Sequence, residues 1–407
     1  MIAMEALSGK ILLLEGVHEV ADDMLRDTNL EIQRIDTSID AGELKELASE
    51  AVVLGIRSRT RIDPEVLEEA SQLCAIGCFC IGTNQVDLDA AAKRGIIVFN
   101  APFSNTRSVA ELTLAEIVML QRRIPQRSSD MHAGRWRKSV RGAREVRGRT
   151  LGIIGYGHIG TQLSVLAEAI GMNVIYHDII PKLPIGNARP ADGLDDLLQN
   201  ADVVSLHVPA TPATREMIGA QQIAQMRPGS FLINNARGDV VEINAVVEGL
   251  QSGHLAGAAI DVFPEEPRIG DATFETPLAG LDNVLLTPHI GGNTQEAQAS
   301  IAQEVSAKLV RYLCEGATST AVNVPEVDLP SRREGQHRIL HFHQNVPGVL
   351  SRMHATLAEL GVNINAEFLQ SSGELSYVIL DVDPIEVTRV HEELAKIPET
   401  IRIRTII

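Results

Sequence analysis

Cysteine, aromatic rings and positive charge are all scarce in this chain of 407 residues. There are four cysteines, and three of them fall in one short run, CAIGCFC. That is too few and too clustered for a disulfide framework. Cys74, Cys78 and Cys80 lie in a run that reads as a buried strand, where a free thiol packs as a small hydrophobe. No apolar run approaches the roughly 20 residues needed to cross a bilayer. The early ILLLEG is too short for a signal-peptide core and has no small-residue cleavage site after it. A cytoplasmic chain with no membrane partner is expected. Lys and Arg total 36 against 53 Asp and Glu, a net charge of −17, which is the wrong sign for general nucleic-acid binding. Residues 122–149, RRIPQRSSDMHAGRWRKSVRGAREVRGR, run the other way, with ten Lys and Arg against Asp130 and Glu145. The stretch reads either as a solvated arm or as a local field for a small anion. Trp136 is its lone aromatic, so it is no platform for stacking bases.

What the chain does have is apolar residues, 44%, and length enough for two to three domains at about 150 residues each. Short β-type runs (KILLLE, AVVLG, CAIGCFC, GIIVFN) alternate with helical patterns in the first hundred residues. A long helical pattern covers about 106–122. A second series follows from Leu151: LGIIG, NVIYHD, DVVSLHV, SFLINN, AGAAIDV and NVLLT. This is the rhythm of parallel sheets covered by helices. Another long helix is predicted over about 294–315. GATSTAVNVPEVDLPSRREGQ, rich in Ser, Thr and Pro with little periodicity, reads as a linker, with its bounds drawn at 321–336. The last seventy or so residues read strand, helix, strand, strand, helix, strand, the ferredoxin-like order.

LGIIGYGHIG spaces Gly155, Gly157 and Gly160 as G-x-G-x-x-G. It directly follows a strand and opens a helix, the context in which the motif binds a dinucleotide. The helix N-terminus offers N–H groups and a positive dipole end to a pyrophosphate. The next strand ends at Asp178, placed to accept from ribose hydroxyls and to repel a 2′-phosphate. No arginine adjoins it, so NAD is expected rather than NADP. Arg237 (NARG), Glu266 (DVFPEEP) and His289 (TPHIGG) follow later strands. Ligands of such sheets bind outside the carboxyl ends of the strands. A histidine near neutral pKa can take or return a hydroxyl proton. A carboxylate beside it favours the charged ring and fixes its tautomer. A guanidinium grips a carboxylate with two parallel bonds. The set fits reversible oxidation of a hydroxy acid, with Glu265 as a surface neighbour of Glu266.

The cradle, NARG, DVFPEEP and TPHIGG together resemble the D-isomer-specific 2-hydroxyacid dehydrogenase family. The resemblance implies two Rossmann-like, doubly wound parallel-sheet α/β domains with the active site in the cleft between them. A discontinuous substrate-binding domain would combine 1–104 with 293–320, and 105–292 would bind NAD. It also assigns Arg237 as substrate anchor, Glu266 as orienting carboxylate and His289 as acid/base. His158 and Ile159, then Asn235, Ala236, Arg237, Asp261, His289, Gly291 and Gly292, are the further candidates to line the cofactor. IGCFCIGTNQVDLDAAAKRGI, FNAPFSNTRSVAEL and LGIIGYGHIGTQLSVLAEAIGM together resemble the branch of the family that acts on 3-phosphoglycerate at the head of serine biosynthesis. That likeness makes Arg57, Ser58 and Asn105 substrate contacts, and it sends Trp136 and Lys138 of the basic arm into a neighbouring subunit's site. The early loop RIDTSIDAGE has no lysine where relatives can offer one, which bears on substrate choice, 2-oxoglutarate included. Other hydroxyacid dehydrogenases, of glyoxylate, glycerate or lactate, and a non-catalytic NAD(H) sensor are the alternatives.

HFHQNVPGVL, within 337–407, resembles the start of an ACT domain, a βαββαβ amino-acid sensor, with Pro347 and Gly348 turning into its first helix. The resemblance implies L-serine held by His343 and Asn345 of one chain and Asn363 of another. Pairing at both the ACT and the cofactor domains implies a homotetramer. His341 and His343 share a face by alternation, but no third ligand of fitting spacing is near, so no metal is expected.

Overall fold

The computed structural model describes residues 9–37, 39–267 and 273–407. The chain divides into two compact units, Met1–Ser104 with Gln298–Ile407, and Asn105–Ala297. The first unit opens with five parallel strands: β1 (Lys10–Leu14), β2 (Glu31–Ile35), β3 (Ala51–Ile56), β4 (Ala75–Cys78) and β5 (Ile97–Asn100). Their order is β2-β1-β3-β4-β5. β1 and β3–β5 are almost wholly buried because helices or other packed segments cover both faces, the usual fate of parallel strands. The cysteine run lies here: Cys74 and Cys78 are buried, Cys80 is half-buried, and all are free thiols.

The second unit carries β6 (Thr150–Ile154), β7 (Asn173–His177), β8 (Arg189–Pro190), β9 (Val203–Leu206), β10 (Ser230–Asn234), β11 (Leu255–Ile260) and β12 (Val284–Leu286). They pair in the order β12-β11-β10-β9-β6-β7-β8, and every pairing is parallel. The order turns around between β6 and β9, the switch point at which a doubly wound sheet opens a ligand crevice. The helix Thr106–Arg122 packs its apolar face on this sheet through Ala110, Ile117 and Leu120.

The tail belongs to the first unit. β13 (His337–Gln344), β14 (Ile364–Ser372), β15 (Leu375–Val382) and β16 (Thr400–Ile406) form an antiparallel sheet in the order β14-β15-β13-β16. Helices Val349–Glu359 and Val387–Leu394 cover one face, over Ile339, Val378 and Leu380. The other face seats Leu340, Phe342, Tyr377 and Ile379 against Leu309, Tyr312 and Leu313 of the helix Gln295–Glu315. Tyr377 stacks on Phe342 at 4.1 Å and donates to the Gly316 carbonyl at 2.7 Å. The segment expected to be a linker is packed. Val324, Val327 and Leu329 are buried in the same core, and Asn323 bonds the backbone of Ile96 and Val98 beside β5. Its lack of periodicity reflects a strap laid along a sheet edge and held by side chains.

Candidate active site

The glycine turn after β6 is shaped by contact distances. Gly155 has φ +92°, and a Cβ there would meet the His207 carbonyl oxygen at 2.4 Å. A Cβ on Gly160 would meet the Gly155 oxygen at 2.4 Å. These two positions close the strand onto the helix His158–Ala169. Gly157, which caps that helix, is different: a Cβ there would have nothing within 4 Å. Open space over a helix N-terminus, with His158 exposed and Ile159 half-buried beside it, suits a pyrophosphate. Asp178, just beyond β7, accepts from the Tyr156 N–H at 2.9 Å and the Ile180 N–H at 3.0 Å. Its carboxylate is thus fixed at the mouth of the turn. The residues present fit a dinucleotide.

The other strand ends bring together Arg237, Glu266 and His289. After β10, Asn234 staples its own loop, donating to the Arg237 carbonyl at 2.9 Å and accepting from the Ala236 N–H at 3.1 Å. Gly238 then passes so close to the Phe263 backbone that a Cβ would stand 1.9 Å from its carbonyl carbon. Only glycine lets the Arg237 loop lie against the segment that leads to Glu266. After β11, Asp261 accepts from Thr287 Oγ1 at 2.6 Å and from the Ile290 and Gly291 N–H groups at 2.8 Å each. Its own carbonyl accepts from the His289 N–H at 2.8 Å. Asp261 therefore splints the loop that carries His289, Gly291 and Gly292. His289 itself has φ +54°, a left-handed conformation uncommon outside glycine and sustained by those bonds.

His289 Nδ1 lies 2.8 Å and 3.0 Å from the two oxygens of Glu266. That bond raises the histidine pKa above its ordinary value, partial burial opposes it, and the charge of Glu266 adds to it. For Glu266, burial alone would raise the pKa, but the bond and the charge of His289 outweigh it and hold the carboxyl below its usual range. Arg237 acts electrostatically on both partners. The arrangement is a carboxylate–imidazole pair beside a guanidinium, with Nδ1 committed to Glu266 so that Nε2 faces other partners.

The remaining candidates are scattered. Asn105 precedes the helix Thr106–Arg122, buried, with Nδ2 packed against Gly292 and no hydrogen-bond partner for Oδ1 among the described residues. Arg57 is half-buried and Ser58 exposed, in the turn after β3. That turn is organised by Glu15, which sequence reasoning missed. Its buried carboxylate accepts from the N–H groups of Arg57, Arg59 and Thr60 at 3.3, 3.1 and 2.7 Å. Trp136 and Lys138 are exposed on the basic arm, which is tied back by Arg127 bonding the carbonyls of Arg137 and Ser139. In the tail, His343 is buried with Nδ1 3.3 Å from Nδ1 of His341. Burial first, and then His343, push the His341 pKa down to about 3, so both rings are neutral near pH 7. Asn345 is exposed and donates to the Gly373 carbonyl at 3.0 Å; Asn363 is exposed beside Asn365 at 3.4 Å.

Residues 114–291 match the family model described as "D-isomer specific 2-hydroxyacid dehydrogenase, NAD binding domain". Residues 339–402 match an "AHAS small subunit-like ACT domain". The D-3-phosphoglycerate dehydrogenase of Escherichia coli K12 is 52% identical over 99% of this chain and 98% of its own length. That of Haemophilus influenzae is 49% identical over 100% and 99%. Among solved structures, D-lactate dehydrogenase from Aquifex aeolicus, complexed with NAD and lactic acid, superposes with a TM-score of 0.65 at 29% identity, over 75% of this chain and 95% of that one.

Proposed function

The chain belongs to the D-isomer-specific 2-hydroxyacid dehydrogenases, NAD-dependent oxidoreductases, and from that premise we propose that it oxidises D-3-phosphoglycerate to 3-phosphohydroxypyruvate, the entry step of serine biosynthesis. The observation that carries the chemistry is the Glu266–His289 pair, bonded at 2.8 Å next to Arg237. The choice of substrate is supported by likeness over essentially the whole chain to relatives that bear that activity in their names.

Bound NAD would accept the hydride. His289 removes the hydroxyl proton at Nε2 as the hydride leaves, and returns it when the reaction runs backwards. Glu266 keeps the proton of Nδ1 in place and stabilises the imidazolium that forms. Arg237 anchors the substrate carboxylate by a bidentate bond. Gly155, Gly157, Gly160 and Asp178 would hold the dinucleotide, with Asn235, Ala236, Asp261, Gly291 and Gly292 as further contacts. Arg57, Ser58 and Asn105 are the substrate-contact candidates, and Trp136 with Lys138 serve a neighbouring subunit in a homo-oligomer, a tetramer by two kinds of pairing. The tail binds L-serine as a feedback inhibitor through His343, Asn345 and a partner chain's Asn363. The exposed edge strand β14 supports that pairing. No helix among the described residues is long and apolar enough to cross a membrane; we place the enzyme in the cytoplasm.

Purified protein given NADH is expected to turn over phosphohydroxypyruvate. Protein that holds NADH yet leaves the keto acid untouched is a sensor, and protein that prefers glyoxylate, pyruvate or 2-oxoglutarate is another hydroxyacid dehydrogenase. Asn345→Ala and Asn363→Ala are expected to abolish inhibition by L-serine while leaving its absence unnoticed in the uninhibited rate. Unchanged inhibition in both variants contradicts the serine site.

A further inference from the structure

Glu116 belongs to none of the substrate, cofactor or catalytic motifs, yet it is 3% exposed on the sheet-facing side of the helix Thr106–Arg122. Its Oε2 accepts from Asn235 Nδ2 at 2.7 Å. The same Nδ2 donates to Thr113 Oγ1 at 3.0 Å, and Thr113 in turn donates to the Val109 carbonyl. Asn235 stands between β10 and Arg237. The loop 235–237 is therefore tied on two sides, to its own strand by Asn234 and to the helix by Glu116. Glu116 Oε1 and Asn235 Oδ1 are buried without a hydrogen-bond partner among the described residues. A buried carboxylate is normally satisfied by several donors; this one holds a single amide.

The surroundings set its charge. Asn235 faces it from beyond β10, Asp261 acts on it from beyond β11, and Thr113 lies on its own helix. Ile153, Leu163, Ile233 and Ala259 pack with that helix in one hydrophobic cluster, together with Tyr156, whose hydroxyl bonds Ser164. Burial is the main force on Glu116; the Asn235 bond opposes it and Asp261 adds to it, leaving the pKa at about 7.

We propose that Glu116 is a positioning residue for hydride transfer: as a carboxylate it holds Asn235, and through it the loop bearing Arg237, in the geometry that receives the substrate carboxylate, and as a neutral acid it lets that loop relax. A bond to an ionised acceptor is about twice as strong as a neutral one, so protonation weakens the hold on Asn235 Nδ2. The inference rests on the reading of Arg237 as substrate anchor.

The two ionisations oppose each other in keto-acid reduction. His289 must be protonated, so activity falls as pH rises through its raised pKa. Glu116 must be ionised, so activity also falls as pH drops below about 7. With phosphohydroxypyruvate and NADH, kcat/KM is expected to be bell-shaped in the native enzyme. Glu116→Gln, which keeps an acceptor for Asn235 but cannot titrate, is expected to lose the acid limb that belongs to Glu116. Any limb due to the substrate's own phosphate stays in both proteins. Glu116→Ala is expected to lower kcat/KM about tenfold, chiefly through KM. An infrared titration of the full chain is expected to show a protonated-carboxyl band below about pH 7 that is missing in Glu116→Gln. An acid limb unchanged in Glu116→Gln, or a missing band in the native protein, overturns the inference. Native protein that shows the band but no turnover fails the proposed function instead.

Discussion

Glu266 carries a consequence of its own at the scale of single residues. It raises the pKa of His289, and the base form of His289 is the one that oxidises an alcohol. Glu266→Gln is therefore expected to move the acid limb of the oxidation profile to lower pH while lowering the maximal rate. His289→Gln, which removes the base, is expected to cost about 10²–10⁴-fold in kcat with substrate binding largely kept. Steady-state kinetics across pH checks both. Read in Glu116→Gln, where that glutamate no longer sets an acid limb, a profile that stays in place on adding Glu266→Gln would mean that the bond seen at 2.8 Å does not govern the ring. Arg237, Glu266 and His289 were legible from sequence because each follows a recognisable strand, and their residue types fit one reaction. Glu15 and Glu116 were not. Each acts through a partner more than forty residues away, and a lone glutamate in a helix or after a strand reads as a solvated charge.

At the scale of elements, the three cradle glycines serve different ends. A methyl on Gly160 collides with backbone, whereas one on Gly157 meets open space. Gly160→Ala is expected to cost about 1–3 kcal/mol of stability by overpacking. Gly157→Ala is expected to leave the melting temperature of the NAD-free protein nearly unchanged and to weaken NAD binding. Calorimetry with and without NAD separates the two, and equal losses of stability would refute the distinction. The G-x-G-x-x-G spacing marked the turn correctly, since a motif is local. It could not rank its glycines, because their contacts are with His207 on another strand end and with the turn itself. The βαββαβ order of the tail was equally legible. His343 and its neighbour His341 were harder: alternation placed them on one face, but only β16, through Thr400, shows that the His341 ring is buried and bonded at 2.9 Å.

At the scale of the whole molecule, the tail sheet is seated in the first unit as part of its core. Arg338 is the clearest joint. It is 1% exposed, pairs with Asp381 through two bonds at 2.6 and 2.8 Å, and donates to the carbonyls of Glu315 and Pro330. Removing one partner of a buried pair strands the other charge. Arg338→Met is expected to cost about 3–5 kcal/mol, read as a shifted urea midpoint. A loss below about 1 kcal/mol would place the pair among weak surface bridges. The sequence alone does not reveal this seating, because it does not show which element covers the second apolar face of β13 and β15.

The central claim is that a phosphorylated hydroxy acid is the substrate of this site. Its most direct test compares kcat/KM for phosphohydroxypyruvate and for hydroxypyruvate, which differ only by the phosphate, with NADH at fixed pH and ionic strength. Charge-assisted bonds of about 1.5–3 kcal/mol each predict a preference for the phosphorylated keto acid on the order of 100-fold or more. Equal values, or a preference for hydroxypyruvate, would contradict the account.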